Sequence, residues 1–136
     1  MKKLILIPAI LMTLHILAQP GYEIKVTLKP VTNQYVYLAH YSGKTLPIVD
    51  SVMLNAQSQG TFKGNKPLGG GIYLLAYPNK RGFQEFLIDK KQHFTIIADT
   101  AQPQNRKFIN SPENEQFLAY QNEMNKKGAA LHTAIT

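Results

Sequence analysis

Cysteine and tryptophan are both missing from the 136-residue sequence. Acidic residues are scarce, eight Asp and Glu against fifteen Lys and Arg. Without a thiol these residues supply no cysteine nucleophile, no dithiol redox centre and no thiolate metal ligand. A disulfide-stapled mini-protein is excluded as well. Charged residues make up 17% of the chain, below the roughly 25% of an average domain. Hydrophobic residues make up 44%, which places the chain among folded rather than disordered proteins.

The net charge of +7 is spread out. No run of Lys or Arg exceeds two, and the pairs Lys80-Arg81, Lys90-Lys91, Arg106-Lys107 and Lys126-Lys127 fall at turns or element ends. A nucleic-acid footprint is a clustered stripe, so no nucleic-acid partner is expected.

Residues 1–18 carry the three-part pattern of a secretory signal peptide. Lys2 and Lys3 give the positive start, Leu4 to Leu17 the apolar run, and Ala18 the small residue at the cleavage point. The run is about 14 residues long, whereas a membrane span needs roughly 20. Pro8 and His15 interrupt it further, so no stable span is expected after cleavage. No Cys follows to take a lipid. The expected location is the periplasm or cell envelope.

The rest alternates as strands do. Tyr22, Ile24, Val26 and Leu28 share one face, and Glu23, Lys25, Thr27 and Lys29 the other, as in a half-buried strand. A second strand follows over Gln34 to Tyr41, and a third apolar run over Leu46 to Ala56. Thr61 to Lys63 is a short strand. Ile72 to Tyr77 is continuously apolar, the mark of a strand covered on both faces. Phe83 to Ile88 and Phe94 to Ala98 predict a hairpin through the polar loop Asp89 to Gln92. Lys107 to Ile109 is a last short strand. Turn signals recur at sandwich spacing and no helical pattern intervenes. The expectation is all-β: an antiparallel β-sandwich or partly open barrel of about seven to eight short strands, with one C-terminal helix.

That helix is predicted from Pro112 to Lys127. Ser111 is its N-cap, Pro112 its first residue, and Glu113 and Glu115 lie in its first turn. Gly128 is its expected stop. Phe117, Tyr120 and Met124 form an apolar stripe that packs on the sandwich or on a neighbouring domain.

No catalytic constellation emerges. His40, His93 and His132 have no metal-ligand spacing, Ser51 has no nucleophile elbow, and Gly69-Gly70-Gly71 lacks the lysine of a phosphate loop. Glu85, Asp89 and Asp99 lie on or beside the predicted hairpin, a spacing that leaves a glycosidase carboxylate pair open. Neither metal nor cofactor is expected. Tyr35, Tyr37 and Tyr41 share one face of the second strand and, with Tyr22 and Tyr73, offer an aromatic platform for sugar rings or else core packing.

Several segments occur in a telling order: YVYLAHYSGKTLPIVDSVMLN, GTFKG, GGIYLLAYPN, FQEFLIDKKQHFTI and NSPENEQFLAY. Together they resemble the N-terminal β domain of exported bacterial thioredoxin-like proteins, the TlpA/ResA and AhpC/TSA relatives. The matching positions are Tyr37-Leu38, Asp50-Ser51, Gly60 with Phe62, Gly71 with Tyr73, Phe86 to Asp89, and Asn110 to Asn114 with Phe117 and Tyr120. The resemblance implies a signal peptide at 1–18, a β-sandwich accessory domain at 19–111, and at 112–136 the start of a connector to a thioredoxin-like domain. It implies a non-catalytic role, positioning a redox module or contacting an envelope partner. The competing expectation is a free-standing exported module that binds carbohydrate or peptide.

Export with cleavage after Ala18 predicts a secreted product that begins at Gln19 by intact-mass analysis. A mature protein that retains Lys2 and Lys3 contradicts the signal-peptide assignment.

Overall fold

The computed structural model describes residues 21–135, together with Lys3 and Ile5. The predicted signal peptide at 1–18 lies almost wholly outside the described residues.

Eight strands and one long helix follow in order: β1 (Tyr22–Lys29), β2 (Tyr35–His40), β3 (Ile48–Met53), β4 (Gln59–Gly64), β5 (Gly71–Ala76), β6 (Phe83–Ile88), β7 (His93–Asp99), a 3-10 turn at Pro103–Asn105, β8 (Lys107–Ile109) and α1 (Pro112–Ile135). They form two four-stranded sheets, ordered β4-β1-β7-β8 and β3-β2-β5-β6. The result is an open β-sandwich. Its core is the set of inward residues that alternation singles out. Ile24, Val26 and Leu28 from β1 meet Val36 and Leu38 from β2, Tyr73 and Leu75 from β5, Phe86 and Ile88 from β6, and Phe94 and Ile96 from β7.

Two expectations about pairing are corrected. The sheets are not wholly antiparallel, because β1 runs parallel to β7, with Ile24 opposite Phe94 and Val26 opposite Ile96. And β6 and β7 are not a hairpin: β6 pairs with β5, and β7 with β1 and β8. Both strands are apolar on alternate residues, which suits face-to-face packing as well as edge-to-edge pairing. The Phe86 and Phe94 rings meet edge-on with centroids 6.0 Å apart, across the interior. The link between them crosses from one sheet to the other. Gln92 pins that link with a side-chain amide buried like a strand residue. It accepts from the Leu68 N–H at 2.7 Å and donates to the Leu68 carbonyl at 2.7 Å and the Asp89 carbonyl at 3.0 Å.

Each open side of the sandwich is closed differently. On the side of β3 and β4, Tyr22 on β1 donates its hydroxyl to Asp50 on β3 at 2.8 Å and ties one sheet to the other. Its ring lies over Gly64, where a Cβ would stand 2.3 Å from Tyr22 Cε1. On the side of β6 and β8, α1 covers both edges. Asn114 is fully buried there. The Leu87 N–H donates to Asn114 Oδ1 at 2.7 Å, and Asn114 Nδ2 donates to the Leu87 carbonyl at 2.9 Å. One side chain thus satisfies both outward backbone groups of an edge residue, as a neighbouring strand would. Ser111 Oγ holds the amide in place, accepting from Asn114 Nδ2 at 2.8 Å. Ser111 does sit at the helix start, but its hydroxyl serves this amide.

The helix is also longer than predicted. It runs through Gly128 to Ile135. Gly128 is not among the glycines with positive φ, so it makes no left-handed cap, and Ala129, Ala130, Leu131 and Ala134 sustain the helix beyond it. Its first half belongs to the sandwich: Asn114 is buried and Leu118 packs against the core.

Replacing Asn114 by Ala strands two backbone groups beneath the helix and costs about 2–4 kcal/mol. Urea unfolding should show a lower midpoint at an unchanged slope. A loss below about 0.5 kcal/mol, the range of ordinary surface substitutions, contradicts the edge-closing role.

Candidate functional site

The two outer faces of the sandwich differ. On the first sheet, Glu23, Lys25, Thr27 and Lys29 of β1 point outward beside Thr61 and Lys63 of β4 and Thr95 of β7. This is a largely wet face, although Ile97 of β7 and Ile109 of β8 are also exposed on it. The outer face of the second sheet carries more apolar residues, with Ser51 opposite Tyr37 and Glu85 opposite Leu74 interspersed among them. Tyr35 stands directly opposite Met53, Ala39 opposite Ile48, and Ala39 opposite Leu74 on its other side. Tyr37, Ala76 and Phe83 form one cross-strand row. Tyr35, Ile48, Met53, Ile72 and Phe83 are all exposed, while Leu74 and Ala39 in the middle of the same face are buried. Contiguous apolar surface of this kind marks a contact.

The continuously apolar run Ile72 to Tyr77 was the signal for this face. A strand that reads as covered on both sides has the opposite sheet on one side only. Of the tyrosines predicted as a platform, Tyr35 and Tyr41 are about half exposed. Tyr37 has the Lys80 ammonium over its ring, 4.7 Å from the centroid, so a cation already occupies that face. Tyr41 lies beyond the end of β2, roughly 20 Å along the chain from Tyr35. Tyr22 and Tyr73 are in the core, Tyr73 stacked on His40 at 4.5 Å and donating its hydroxyl to the Gly69 carbonyl at 2.6 Å. The structure therefore sets Met53 beside Tyr35 at one end of β2, and Ile48, Leu74 and Ile72 around Ala39 and Tyr41 at the other, rather than a row of rings. Ile48 and Met53 were missed in the sequence because each looks like an ordinary strand residue.

Phe83 leads to a second feature, an open groove of about 580 Å³ between β6 and α1. Phe83, Tyr120 and Met124 give its apolar lining, and Glu85, Arg106 and Gln121 its polar one. Arg106 is buried. It donates to the Pro103 carbonyl at 2.8 Å, to the Glu85 carbonyl at 3.1 Å and to Gln121 Oε1. Gln121 in turn donates to Glu85 Oε2 at 3.3 Å. Burial pulls the Arg106 guanidinium below its usual pKa, and the nearby Glu85 charge opposes that pull. These groups hold the helix to the 3-10 turn and to β6. Of the helix stripe predicted as an interdomain face, Phe117 is half-buried, and Tyr120 and Met124 are exposed.

The carboxylates do not converge. Glu85 faces α1, the Asp99 side chain accepts from the Ala101 N–H at 2.8 Å at the far end of β7, and Asp89 lies at the opposite end of β6. His93 Nδ1 stands 3.6 Å from Glu23 Oε2 on the wet face. Among the described residues no three of His, Cys, Asp and Glu stand together as metal ligands, and no helix is long and apolar enough to cross a membrane.

What these features define is a β-sandwich with one largely wet face, one more apolar face and a helix that closes an edge and then overshoots it. Residues 22–117 match the family described as Domain of unknown function (DUF4369), and the chain belongs to that family. No curated protein and no solved structure matches it.

The Tyr22–Asp50 tie titrates. Burial, then the bond to Asp50 and its charge, push the Tyr22 hydroxyl from 10.0 up to about 12. Folding therefore favours the neutral phenol. That contribution is complete below pH 10 and is lost as pH rises through about 12. In an ultraviolet phenolate titration two of the seven tyrosines should ionise late, Tyr22 through its tie to Asp50 and Tyr73 through burial alone. Asp50→Asn should bring Tyr22 earlier, and Tyr22→Phe should flatten the alkaline fall in stability. Titration of Tyr22 near the ordinary value contradicts the tie.

Proposed function

We propose that the chain is a non-catalytic accessory domain of an exported thioredoxin-like disulfide oxidoreductase, and that it seats a redox module or an envelope partner on the apolar outer face of its second sheet. The observation that carries this reading is the contrast between the two outer faces. Here Tyr35, Ile48, Met53 and Ile72 stay open to solvent around the buried Leu74 and Ala39. Large apolar side chains spread over a sheet face suit a protein surface better than a small ligand. The ordered segments that resemble the β domain of thioredoxin-like proteins give the partner its class. With no cysteine of its own, the chain would act by placement, and the thiol chemistry would belong to the module it holds.

Placing a photo-crosslinking residue at Met53 in the exporting cell tests this. The expected adduct joins the chain to a thioredoxin fold bearing a Cys-x-x-Cys pair, and Ile72→Lys should diminish it at least tenfold. The same residue at Lys25 on the wet face should give none. Adducts with no thioredoxin fold among them, or equal yields from the two faces, overturn the proposal.

A further inference from the structure

We propose that two copies of this chain associate through α1, packed antiparallel about a two-fold axis beside Gly128. This contact is separate from the sheet face assigned above. From Glu123 to Ile135 every residue of α1 is exposed, so this half of the helix stands clear of the sandwich. Four large apolar side chains lie open along it and the turn before: Tyr120, Met124, Leu131 and Ile135, at 60%, 47%, 65% and 75% exposure. At about 100° per residue they fall within roughly 60° of arc, a single stripe.

Their spacing is symmetric. Tyr120 and Ile135 are equally far from the midpoint between Lys127 and Gly128, and so are Met124 and Leu131. A stripe symmetric about its own midpoint is complementary to itself when reversed, which is the condition for an isologous contact. In that register Tyr120 opposes Ile135 of the second copy, and Met124 opposes Leu131. All four open side chains find an apolar counterpart, over about 24 Å of helix.

Gly128 is a second, independent observation. Glycine inside a helix weakens it relative to alanine. Nothing in its own chain requires it, since a Cβ there would meet no atom within 4 Å. In the antiparallel pair it lies where the two backbones come closest, and there the lack of a side chain is useful.

The two Lys127 side chains flank the axis, each held by its own Glu123 at 3.2 Å. The far end of each helix reaches the groove at the foot of the other, so Ile135 arrives beside Phe83 and Tyr120.

An overlap of this size is at the small end of specific interfaces, so roughly micromolar association is expected. Sedimentation of residues 19–136 should show a concentration-dependent dimer. Gly128→Lys adds bulk and charge at the axis but improves helix propensity, so it should weaken the dimer at least tenfold while circular dichroism shows no loss of helix. The absence of native cysteine permits a clean test of direction. Under oxidation a mixture of Met124→Cys and Leu131→Cys chains should form the mixed disulfide faster than either chain forms its own. A wild-type chain still monomeric at roughly ten times the expected constant overturns the proposal. So does a Gly128→Lys dimer of undiminished strength, or faster disulfide formation between identical positions. None of these results bears on the crosslink at Met53, which reads the other surface.

Discussion

The edge of β6 is where this sandwich is decided. Two open sheets stacked face to face leave four edge strands, and unpaired backbone groups on them must be satisfied or left in water. Covering β6 and β8 with a helix removes the water, so the helix must supply the bonds. The buried Asn114 amide does so at Leu87, and the Arg106 guanidinium at the Glu85 carbonyl. Ser111 and Gln121 hold those two side chains in turn. The start of α1, the 3-10 turn before β8 and the rim of the second sheet are consequently one unit. The helix is part of the domain up to about Asn122 and an extension after it.

The opposite side uses fewer groups. Tyr22 and Asp50 make a single inter-sheet bond, and the Asp50 carboxylate also accepts from the Ser51 N–H at 2.8 Å. A charge turned inward on an edge strand discourages a further strand from adding there. One side is therefore sealed by a helix and the other guarded by a carboxylate. That leaves the two outer faces and the projecting helix as the surfaces free for contacts, with exposed apolar side chains most numerous on the second sheet and the helix.

Much of the fold was legible because alternation fixes which side chains point inward. The core residues of β1 follow from alternation, β3 and β5 from their apolar runs, and the start of α1 from Ser111 and Pro112. What alternation does not carry is the identity of the neighbour. Phe86 and Phe94 are inward whether their strands pair or face each other, so the presumed hairpin and the true crossing look alike in one dimension. The parallel pairing of β1 with β7 is invisible for the same reason. Gly128 was misjudged because a glycine after two lysines reads as a stop, and only the backbone angle tells a stop from a passage. The apolar face was half legible: the run Ile72 to Tyr77 announced two covered faces, but Met53 and Ile48 gained meaning only once the register set them beside Tyr35 and Ala39.

The pairing of β1 with β7 also governs the order in which the chain can assemble. Val26 lies between Gly60 on one side and Ile96 on the other, so the central strand of the first sheet stays half-paired until β7 has been made. Leu87 waits longer still, for Asn114. Three of the six strand pairings, β1 with β4, β1 with β7 and β2 with β5, join segments distant in sequence, and pairings of that kind form slowly because the segments must meet before anything rewards them. A chain emerging from the ribosome presents the parts of its sandwich long before the residue that fastens them. Until Asn114 arrives the β6 edge stays unsatisfied, so the last part of the sandwich to be made is also the part that seals it.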